Sequence, residues 1–309
     1  MARVFVTRKL PGTALERLSA KHEVEVWPGE LPPPRDELLA GVADAEGLLS
    51  LLSDRVDTEL IDSAPKLRAV ANYAIGFDNI DLEAAAARGI QVGNTPDVLT
   101  DATADLAWAL MLAAARRIVE AHRAVVDGEW RTWEPEGWVG VDVHGATLAV
   151  IGAGRIGRAV AERATGFAMD VVTVDLGDDL HAALERADFV SVHTPLTPET
   201  RHLIDAETLA VMKPTAILVN TARGPIIDEK AMVRALKAKK IAGAGLDVFE
   251  QEPKVHAELK KMRNVVLNPH LGSAVIETRE EMANIVVDNI EALLAGKKPP
   301  NIVNLDVLK

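Results

Sequence analysis

The segment "TLAVIGAGRIGRAVAERA", residues 147–164, constrains the fold of this chain more than any other stretch. An apolar run typical of a buried strand leads directly into a glycine-rich turn and then into a sequence with helical spacing. Gly152, Gly154 and Gly157 follow the order G-x-G-x-x-G, which permits a tight turn, a close approach to a pyrophosphate, and close packing of the helix on the strand. The segment therefore predicts a strand–turn–helix unit that binds a dinucleotide at the helix N-terminus.

Strand-like segments alternate with helical segments along the rest of the chain. The first series comprises "RVFVT" (3–7), "EVEVW" (23–27), "AEGLLSLL", "LRAVANYA" and "GIQVGN"; the second continues from the glycine turn through "DVVTVD", "ADFVSVHTP", "AILVNTARG", "AGAGLDVF" and "NVVLNPH". This pattern is typical of parallel sheets covered by helices on both faces. We predict an α/β protein with two doubly wound, Rossmann-like or flavodoxin-like domains and a ligand cleft between them.

The order of the segments suggests where the domains divide. A long helix is predicted from about Asp101 to Val126, between the two series. A closing helix leads to the tail "PPNIVNLDVLK", which we expect to return to the first domain. The substrate-binding domain is then discontinuous, with residues 1–98 plus 284–309, and residues 99–283 form the dinucleotide-binding domain.

Composition and charge exclude several kinds of protein. The chain has 309 residues, enough for two domains, and a net charge of −12, which disfavours binding to nucleic acid. It has no cysteine, and its eight histidines show no metal-ligand spacing, so we predict neither disulfides nor a metal site. The longest apolar run, residues 106–115, is too short to cross a bilayer, and the start does not resemble a signal peptide. We expect a cytoplasmic protein without a membrane partner.

Asp175 ends the strand that follows the glycine turn, 18 positions after Gly157. A carboxylate at this place accepts hydrogen bonds from the ribose hydroxyls of NAD and repels a 2′-phosphate. Asp178 and Asp179 add negative charge nearby. The sequence therefore predicts NAD as the cofactor, with NADH preferred over NADPH.

Reactive side chains follow three further strands of the second series. Arg223 follows "ILVNTA", Glu252 follows "GLDVFEQ", and His270 follows "VVLNP". Because the carboxyl ends of parallel strands share one edge of a sheet, we expect these side chains to face one crevice. A guanidinium suits a carboxylate or keto acid, and a glutamate beside a histidine favours the protonated imidazole, a proton donor.

With these motifs the chain resembles the D-isomer-specific 2-hydroxyacid dehydrogenases, most closely the glyoxylate/hydroxypyruvate reductase branch. The resemblance extends over nearly the whole length, through "NYAIGFDNIDLEAAAARGIQVGNTPDVLTDATADL", "GAGRIG", "VSVHTPLTPETRHLI", "ILVNTARGPIIDEKAMVRAL", "GAGLDVFEQEP" and "NPHLGSA". It implies reduction of a small 2-keto acid, glyoxylate or hydroxypyruvate, by hydride from a nicotinamide. In this mechanism Arg223 binds the substrate, His270 donates the proton, and Glu252 holds His270.

The resemblance also implies a set of binding residues and a homodimer built through the region near 101–126. The cofactor-binding residues, besides the glycines and Asp175, would be Thr103, Arg155, Ile156, Thr194, Pro195, Thr221, Ala222, Asp247, Leu271 and Gly272. The substrate-binding residues would be Leu52, Ala74, Ile75, Gly76 and Ser273, together with Trp133, which would reach toward the substrate of the other subunit.

The segment after Asp175 departs from the family in its length. Only 12 positions separate Asp175 from Ala187, about half of the usual family spacing. We therefore expect a more open adenosine pocket and weaker cofactor binding.

Two other functions remain open. The alternatives are another D-2-hydroxyacid dehydrogenase, acting on 3-phosphoglycerate or D-lactate, and an NAD-sensing binding module on the same scaffold.

Overall fold

Two parallel sheets organise the chain, and each belongs to its own unit. The computed structural model describes residues 1–304 and divides them into one unit of residues 1–99 with 273–304, and another of residues 100–272. Among the described residues, none of the helices combines the length and apolar character needed to cross a bilayer.

The first unit begins as five strands separated by short helices. These are β1 (Arg3–Val6), α1 (Ala14–Ser19), β2 (Glu23–Val26), α2 (Arg35–Val42), β3 (Gly47–Leu51), α3 (Thr58–Ser63), β4 (Ala69–Tyr73), α4 (Leu82–Ala87) and β5 (Gln91–Gly93). All pairs are parallel, and the order is β2-β1-β3-β4-β5. This is the flavodoxin-like order, whose direction reverses between β1 and β3.

The second unit carries a six-stranded parallel sheet in the order β11-β10-β9-β8-β6-β7. Its elements are α5 (Thr100–Ala115), α6 (Ile118–Val126), β6 (Thr147–Ile151), α7 (Arg155–Ala164), β7 (Asp170–Val174), α8 (Leu180–Arg186), β8 (Phe189–Val192), α9 (Ala206–Val211), β9 (Ile217–Asn220), α10 (Glu229–Lys237), β10 (Gly243–Leu246) and β11 (Val265–Leu267). Short 3₁₀ helices lie at Thr165–Phe167, Gly224–Ile226 and Leu259–Lys261. Alternate residues of β6 enter the cores on its two faces, since side chains alternate along a strand. The predicted fold class, α/β with two parallel-sheet units, is confirmed.

Strand β7 lies at the edge of the second sheet, next to β6 alone. The common dinucleotide-binding order 3-2-1-4-5-6 has one more strand outside this position. Here the connection from β7 to β8 consists of a turn and the short helix α8. The short spacing after Asp175 in the sequence therefore corresponds to a sheet without that outer strand.

The single long helix predicted from Asp101 to Val126 is wrong, because the structure has two helices there. Arg117, between α5 and α6, adopts a left-handed conformation with φ of 53°. The carbonyl of Ala115, the last residue of α5, accepts the N–H of Val141 at 3.0 Å. This contact replaces a continuing helical hydrogen bond, and Arg117 redirects the chain.

The closing helix and the tail belong to the first unit. Helix α11 (Ile276–Leu294) is continuous, and its buried Asn289 donates to the Asn94 carbonyl at 2.8 Å. The sequence-based boundary at residue 283 falls inside this helix, and the structure places the division before Ser273 instead. In the tail, Val303 and Asn304 bond the backbone of β5 at Val92. Residues 305–309 lie outside the described residues.

Candidate active site

His270 and Glu252 form a hydrogen-bonded pair at the carboxyl edge of the second sheet. His270 follows β11 and Glu252 follows the neighbouring β10, and their Nδ1 and Oε2 atoms are 2.9 Å apart. The side chains are 24% and 31% exposed, so a small molecule can reach them. Since a carboxylate only accepts hydrogen bonds, Nδ1 is the donor in this pair, and Nε2 remains for another partner.

The surroundings of Glu252 keep its carboxylate ionised. Burial raises the pKa of Glu252, but the hydrogen bond and charge of His270 outweigh it, helped by the Phe249 N–H at 3.0 Å and the charge of Arg223. The net result is a pKa of Glu252 below its ordinary value. The pair is therefore a histidine held by a carboxylate at neutral pH.

The turn that carries His270 is fixed by Asp247. His270 adopts a left-handed conformation with φ of 57°, which costs free energy for a residue with a Cβ. The backbone carbonyl of Asp247 accepts the His270 N–H at 2.8 Å. The side-chain carboxylate of Asp247 accepts the N–H of Leu271 at 2.7 Å and the N–H of Gly272 at 2.9 Å. Thr103 donates to the Gly272 carbonyl at 3.1 Å. Thr103 and Asp247, predicted as cofactor neighbours, thus hold the histidine turn in place.

Burial also affects the Asp247 carboxyl itself. Desolvation raises the pKa of Asp247, and the two backbone N–H donors and the charge of His270 offset only part of that effect. A buried carboxylate with both oxygens bonded to one turn is costly to move. The position of His270 is therefore set by the backbone around it.

Arg223 extends from the loop that follows β9, and Asn220 shapes this loop. Asn220, at the end of β9, donates to the Arg223 carbonyl at 2.9 Å and accepts the Ala222 N–H at 3.0 Å. The Arg223 guanidinium donates to the Ala222 carbonyl at 2.8 Å. Sequence reasoning missed Asn220; the signal that could have found it was an amide ending a buried apolar strand.

Gly224 brings the Arg223 loop against the Glu252 segment. A Cβ built on Gly224 would lie 1.9 Å from the carbonyl carbon of Phe249, so no larger residue fits without moving the backbone. The two backbones therefore pack directly on each other, which places Arg223, Glu252 and His270 in one cluster. Gly224 was not predicted from the sequence, although it directly follows the arginine.

The glycine turn lies where the second sheet reverses direction, between β6 and β8. Gly152 has φ of 94°, and a Cβ there would lie 2.6 Å from the Thr194 nitrogen. A Cβ on Gly157 would lie 2.0 Å from the Gly152 oxygen, whereas one on Gly154 would meet nothing within 4 Å. Helix α7 begins at Arg155 without a side-chain cap. Open space at an uncapped helix N-terminus, where Arg155 and Ile156 begin the first turn, fits a pyrophosphate.

Asp175 lies beside the glycine turn, as a ribose-binding carboxylate requires. It is exposed, and its Oδ1 accepts the Ala153 N–H at 2.9 Å. Its own N–H donates to Asp178 at 2.8 Å, and Asp179 caps α8. Within the described part of the chain, the buried Thr221 hydroxyl has no hydrogen-bond partner, so it can serve a polar group of a ligand. Together these groups fit a nicotinamide dinucleotide.

The remaining predicted residues are divided between the units. Pro195 lies in the second unit beside Thr194, and Trp133 lies between α6 and β6 with 77% of its surface exposed. Leu52, Ala74, Ile75, Gly76 and Ser273 lie in the first unit.

In the first unit the loop Ala74–Gly76 follows β4, and each of its three carbonyls accepts a hydrogen bond. Thr95 N–H donates to Ala74 at 2.9 Å, the Asn94 side chain to Ile75 at 2.8 Å, and the Asn72 side chain to Gly76 at 2.9 Å. Because the C=O and N–H of a planar trans peptide point in opposite directions, these bonds aim the following N–H groups the other way. Asn72 and Asn94 were not predicted from the sequence; the signal that could have found them was an amide near the end of each of two buried strands.

A dinucleotide turn at the reversal of a parallel sheet, with an arginine, a carboxylate and a histidine at the same edge, defines a nicotinamide-dependent oxidoreductase. The model of the family described as "D-isomer specific 2-hydroxyacid dehydrogenase, NAD binding domain" matches residues 108–272. The chain belongs to the D-isomer-specific 2-hydroxyacid dehydrogenase family, in its glyoxylate reductase branch.

Individual relatives are similar over nearly the whole chain. A glyoxylate reductase of Thermococcus kodakarensis is 49% identical over 324 aligned residues, covering 99% of this chain and 97% of the relative. One of Korarchaeum cryptofilum is 50% identical over 322, with the same coverage. A Thermus thermophilus protein of known structure has a TM-score of 0.93 at 49% identity, covering 97% of this chain and 99% of that one. The NADPH-dependent glyoxylate/hydroxypyruvate reductase of Sinorhizobium meliloti, in complex with NADP and malonate, has a TM-score of 0.85 at 34% identity, with 98% and 96% coverage.

Proposed function

We propose that this protein reduces glyoxylate or hydroxypyruvate to the corresponding 2-hydroxy acid, with NADH as the preferred cofactor. The observation that carries this proposal is the His270–Glu252 pair at 2.9 Å beside Arg223, on the same sheet as the dinucleotide turn. Relatives named glyoxylate reductase, which are 49% and 50% identical in sequence over 99% of this chain, support the choice of substrate.

Arg223 has the chemistry to hold and polarise the substrate. Its planar guanidinium binds a carboxylate and the neighbouring carbonyl oxygen through a fork of N–H donors. Negative charge develops on that oxygen during reduction, and a fixed cation in a partly buried site stabilises it. The bond to the Ala222 carbonyl restricts the side chain before any ligand arrives.

His270 is proposed as the proton donor, with Glu252 as its partner. The bound nicotinamide supplies the hydride for the carbonyl carbon. The ionised Glu252 accepts from Nδ1, which orients the ring and leaves Nε2 as the atom that carries the proton to be given. A positioned proton donor contributes on the order of 10²–10⁴ in rate.

The loop Ala74–Gly76 is proposed to bind the substrate carboxylate through backbone N–H groups. The bonds to its carbonyls support this role, since they orient the N–H groups of Ile75 and Gly76 before a ligand binds. Leu52 and Ser273 are proposed as further substrate neighbours in the same unit.

The preference for NADH rests on the carboxylate of Asp175, and Asp178 and Asp179 add negative charge nearby. These carboxylates would repel a 2′-phosphate, although one relative was crystallised with NADP. Because β7 is an edge strand, less protein surrounds the adenosine. We expect NADH to bind more tightly than NADPH in fluorescence titration, and less tightly than it binds the Thermococcus kodakarensis relative. Equal affinity for both cofactors would contradict the role of Asp175.

We also propose that the protein forms a homodimer through the segment 118–139. Large apolar side chains are exposed along this segment: Ile118, Val125, Val126, Trp130, Trp133 and Val139. A group of exposed apolar residues of this kind is typical of a protein interface. Light scattering tests the dimer; a mass equal to one chain, at concentrations used for activity, would contradict it. If Trp133 reaches the other subunit's substrate, Trp133→Ala raises KM even where the dimer persists.

The experiment that tests the function is the rate of NADH oxidation with glyoxylate and with hydroxypyruvate. Pyruvate and 3-phosphohydroxypyruvate serve as comparison substrates, and NADPH replaces NADH in a parallel series. Turnover that is fastest with glyoxylate or hydroxypyruvate supports the proposal. Faster turnover with 3-phosphohydroxypyruvate or pyruvate would assign another 2-hydroxyacid substrate. NADH binding without turnover of any keto acid would favour a binding module.

A further inference from the structure

Glu229 is a buried glutamate that the proposed chemistry does not use. It is the first residue of α10 and is 8% exposed. Its carboxylate bonds backbone: Oε2 accepts the N–H of Glu250 at 3.1 Å, and Oε1 accepts the N–H of His256 at 3.2 Å. A buried carboxylate with such partners is costly to displace, because each N–H would lose its acceptor.

The two N–H groups lie on either side of Glu252 along the chain. One oxygen of Glu229 therefore holds the start of the segment 250–256, and the other holds its end. Glu250 returns the contact, since its Oε2 accepts the Glu229 N–H at 3.3 Å. Its Oε1 lies 2.9 Å from Nε2 of His202. We call these three contacts, Glu229 with the N–H groups of Glu250 and His256 and Glu250 with the N–H of Glu229, the bracket of the segment 250–256.

The segment held by the bracket contains Glu252, the hydrogen-bond partner of His270. Within it, Glu252 takes the Phe249 N–H on Oε1 and His270 on Oε2. The Phe249–Glu250 backbone at the start of the segment packs directly on Gly224, where a Cβ would lie 1.9 Å from the Phe249 carbonyl carbon. A hydrogen bond at 2.9 Å is lost when its atoms separate by about 1 Å, so a small shift of the segment removes Glu252 from His270.

We propose that Glu229 and Glu250 are positioning residues that hold Glu252 against His270 and thereby set the orientation of the proton donor. The inference rests on the proposed function, because that function gives His270 and Glu252 their roles. Neither Glu229 nor Glu250 contacts the substrate in this account; both act through Glu252.

The test compares Glu229→Gln with Asp228→Ala. Glutamine keeps one acceptor but turns an NH₂ toward the second N–H, so one side of the bracket opens. Asp228, the neighbouring residue, caps α10 by accepting the Ala231 N–H at 2.9 Å and does not bond the segment 250–256. Its loss costs about 1 kcal/mol of stability, which makes it a matched control for a general weakening of the helix start.

We expect Glu229→Gln to lower kcat roughly 10- to 100-fold, because small misplacements of catalytic groups are costly. The dissociation constant for NADH should stay within about twofold, because the bracket does not contact the dinucleotide turn. The pH dependence of kcat should change in the same sense as in Glu252→Gln, whereas Asp228→Ala should leave its shape unchanged.

A second readout does not depend on activity. At fixed pH, the ring ¹⁵N resonances of His270 should move in Glu229→Gln toward their positions in Glu252→Gln. If the wild type reduces no keto acid but this movement occurs, the proposed function fails and the positioning role stands. Unchanged resonances and an unchanged pH profile in folded Glu229→Gln, or equal changes in Asp228→Ala, would overturn the inference.

Discussion

The two units present different chemistry at the same place in the same kind of sheet. Both are parallel sheets whose strand order reverses near one side. At the carboxyl edge of the second, the strands are followed by ionisable side chains, namely Arg223, Glu252 and His270. At the carboxyl edge of the sheet in the first unit, the neutral amides of Asn72 and Asn94 bond the carbonyls of the loop Ala74–Gly76.

This difference separates two ways of binding an anionic substrate. A charged side chain binds strongly, titrates, and can transfer a proton. A loop of oriented N–H groups binds without titrating, and it costs little to reorganise because its carbonyls are already bonded. We therefore expect substitutions of Arg223, Glu252 and His270 to affect chemistry and its pH dependence, and substitutions of Asn72 and Asn94 to affect binding alone.

The largest effect is expected at the proposed proton donor. His270→Asn should lower kcat for glyoxylate at least about 10²-fold, the lower end for a positioned proton donor, with NADH affinity nearly unchanged. Steady-state NADH oxidation measures it. His181, exposed on α8, gives the control His181→Asn, which should be silent. A loss below tenfold in His270→Asn would remove the histidine from the chemistry.

Arg223→Gln should lower kcat less than His270→Asn does, and it should raise KM as well. We expect kcat/KM for glyoxylate to fall about 10²–10³-fold, since the guanidinium both binds the substrate and stabilises the developing charge. Arg263, exposed before β11, provides the matched variant Arg263→Gln. A rise in KM with kcat preserved in Arg223→Gln would confine the arginine to binding and weaken the contrast between the units.

The amide network of the first unit predicts a pure binding defect. Asn94→Ala releases the Ile75 carbonyl, so KM for glyoxylate should rise about tenfold while kcat changes less than about threefold. Asn304 is the matched control, because it is buried in the same unit and bonds the backbone at Ile90 and Val92 instead. An equal rise of KM in Asn304→Ala would mean that the effect is one of general stability.

A smaller effect concerns stability rather than activity. Burial lowers the pKa of His193, at the end of β8, to about 4 from 6.5. A depressed pKa in the folded state contributes stability that is present above pH 6.5 and is lost as pH falls toward about 4. Since the residue keeps some exposure, we expect the loss to be roughly 1–3 kcal/mol. Urea unfolding at several pH values should show it in the wild type, and His193→Gln should flatten the slope in this window. The same slope in both proteins would contradict the assignment.

Charged residues at strand ends could be predicted from the sequence, because the carboxyl ends of parallel strands meet at one edge of the sheet however the rest of the chain packs. The resemblance, the fold class and the branch of the family are confirmed by the comparisons. The roles of the individual site residues stay predictions. What the sequence did not reveal is local: the break at Arg117 depends on Val141, which is distant along the chain. Gly224 matters because the Phe249 backbone packs against it, and Asn220 matters because its amide bonds the Arg223 loop. The loop Ala74–Gly76 was expected only through the resemblance, because N–H groups that nearly every residue has leave no signal of their own in the sequence.

The contrast between the units is tested most directly by the pH dependence of kcat/KM for glyoxylate in three proteins: the wild type, Glu252→Gln and Asn94→Ala. We expect Asn94→Ala to lower the curve evenly without changing its shape, because no ionisable group is altered. We expect Glu252→Gln to change the shape, because the partner of His270 has lost its charge. A changed shape in Asn94→Ala, or an unchanged one in Glu252→Gln, would contradict the assignment of the acid–base chemistry to the second unit.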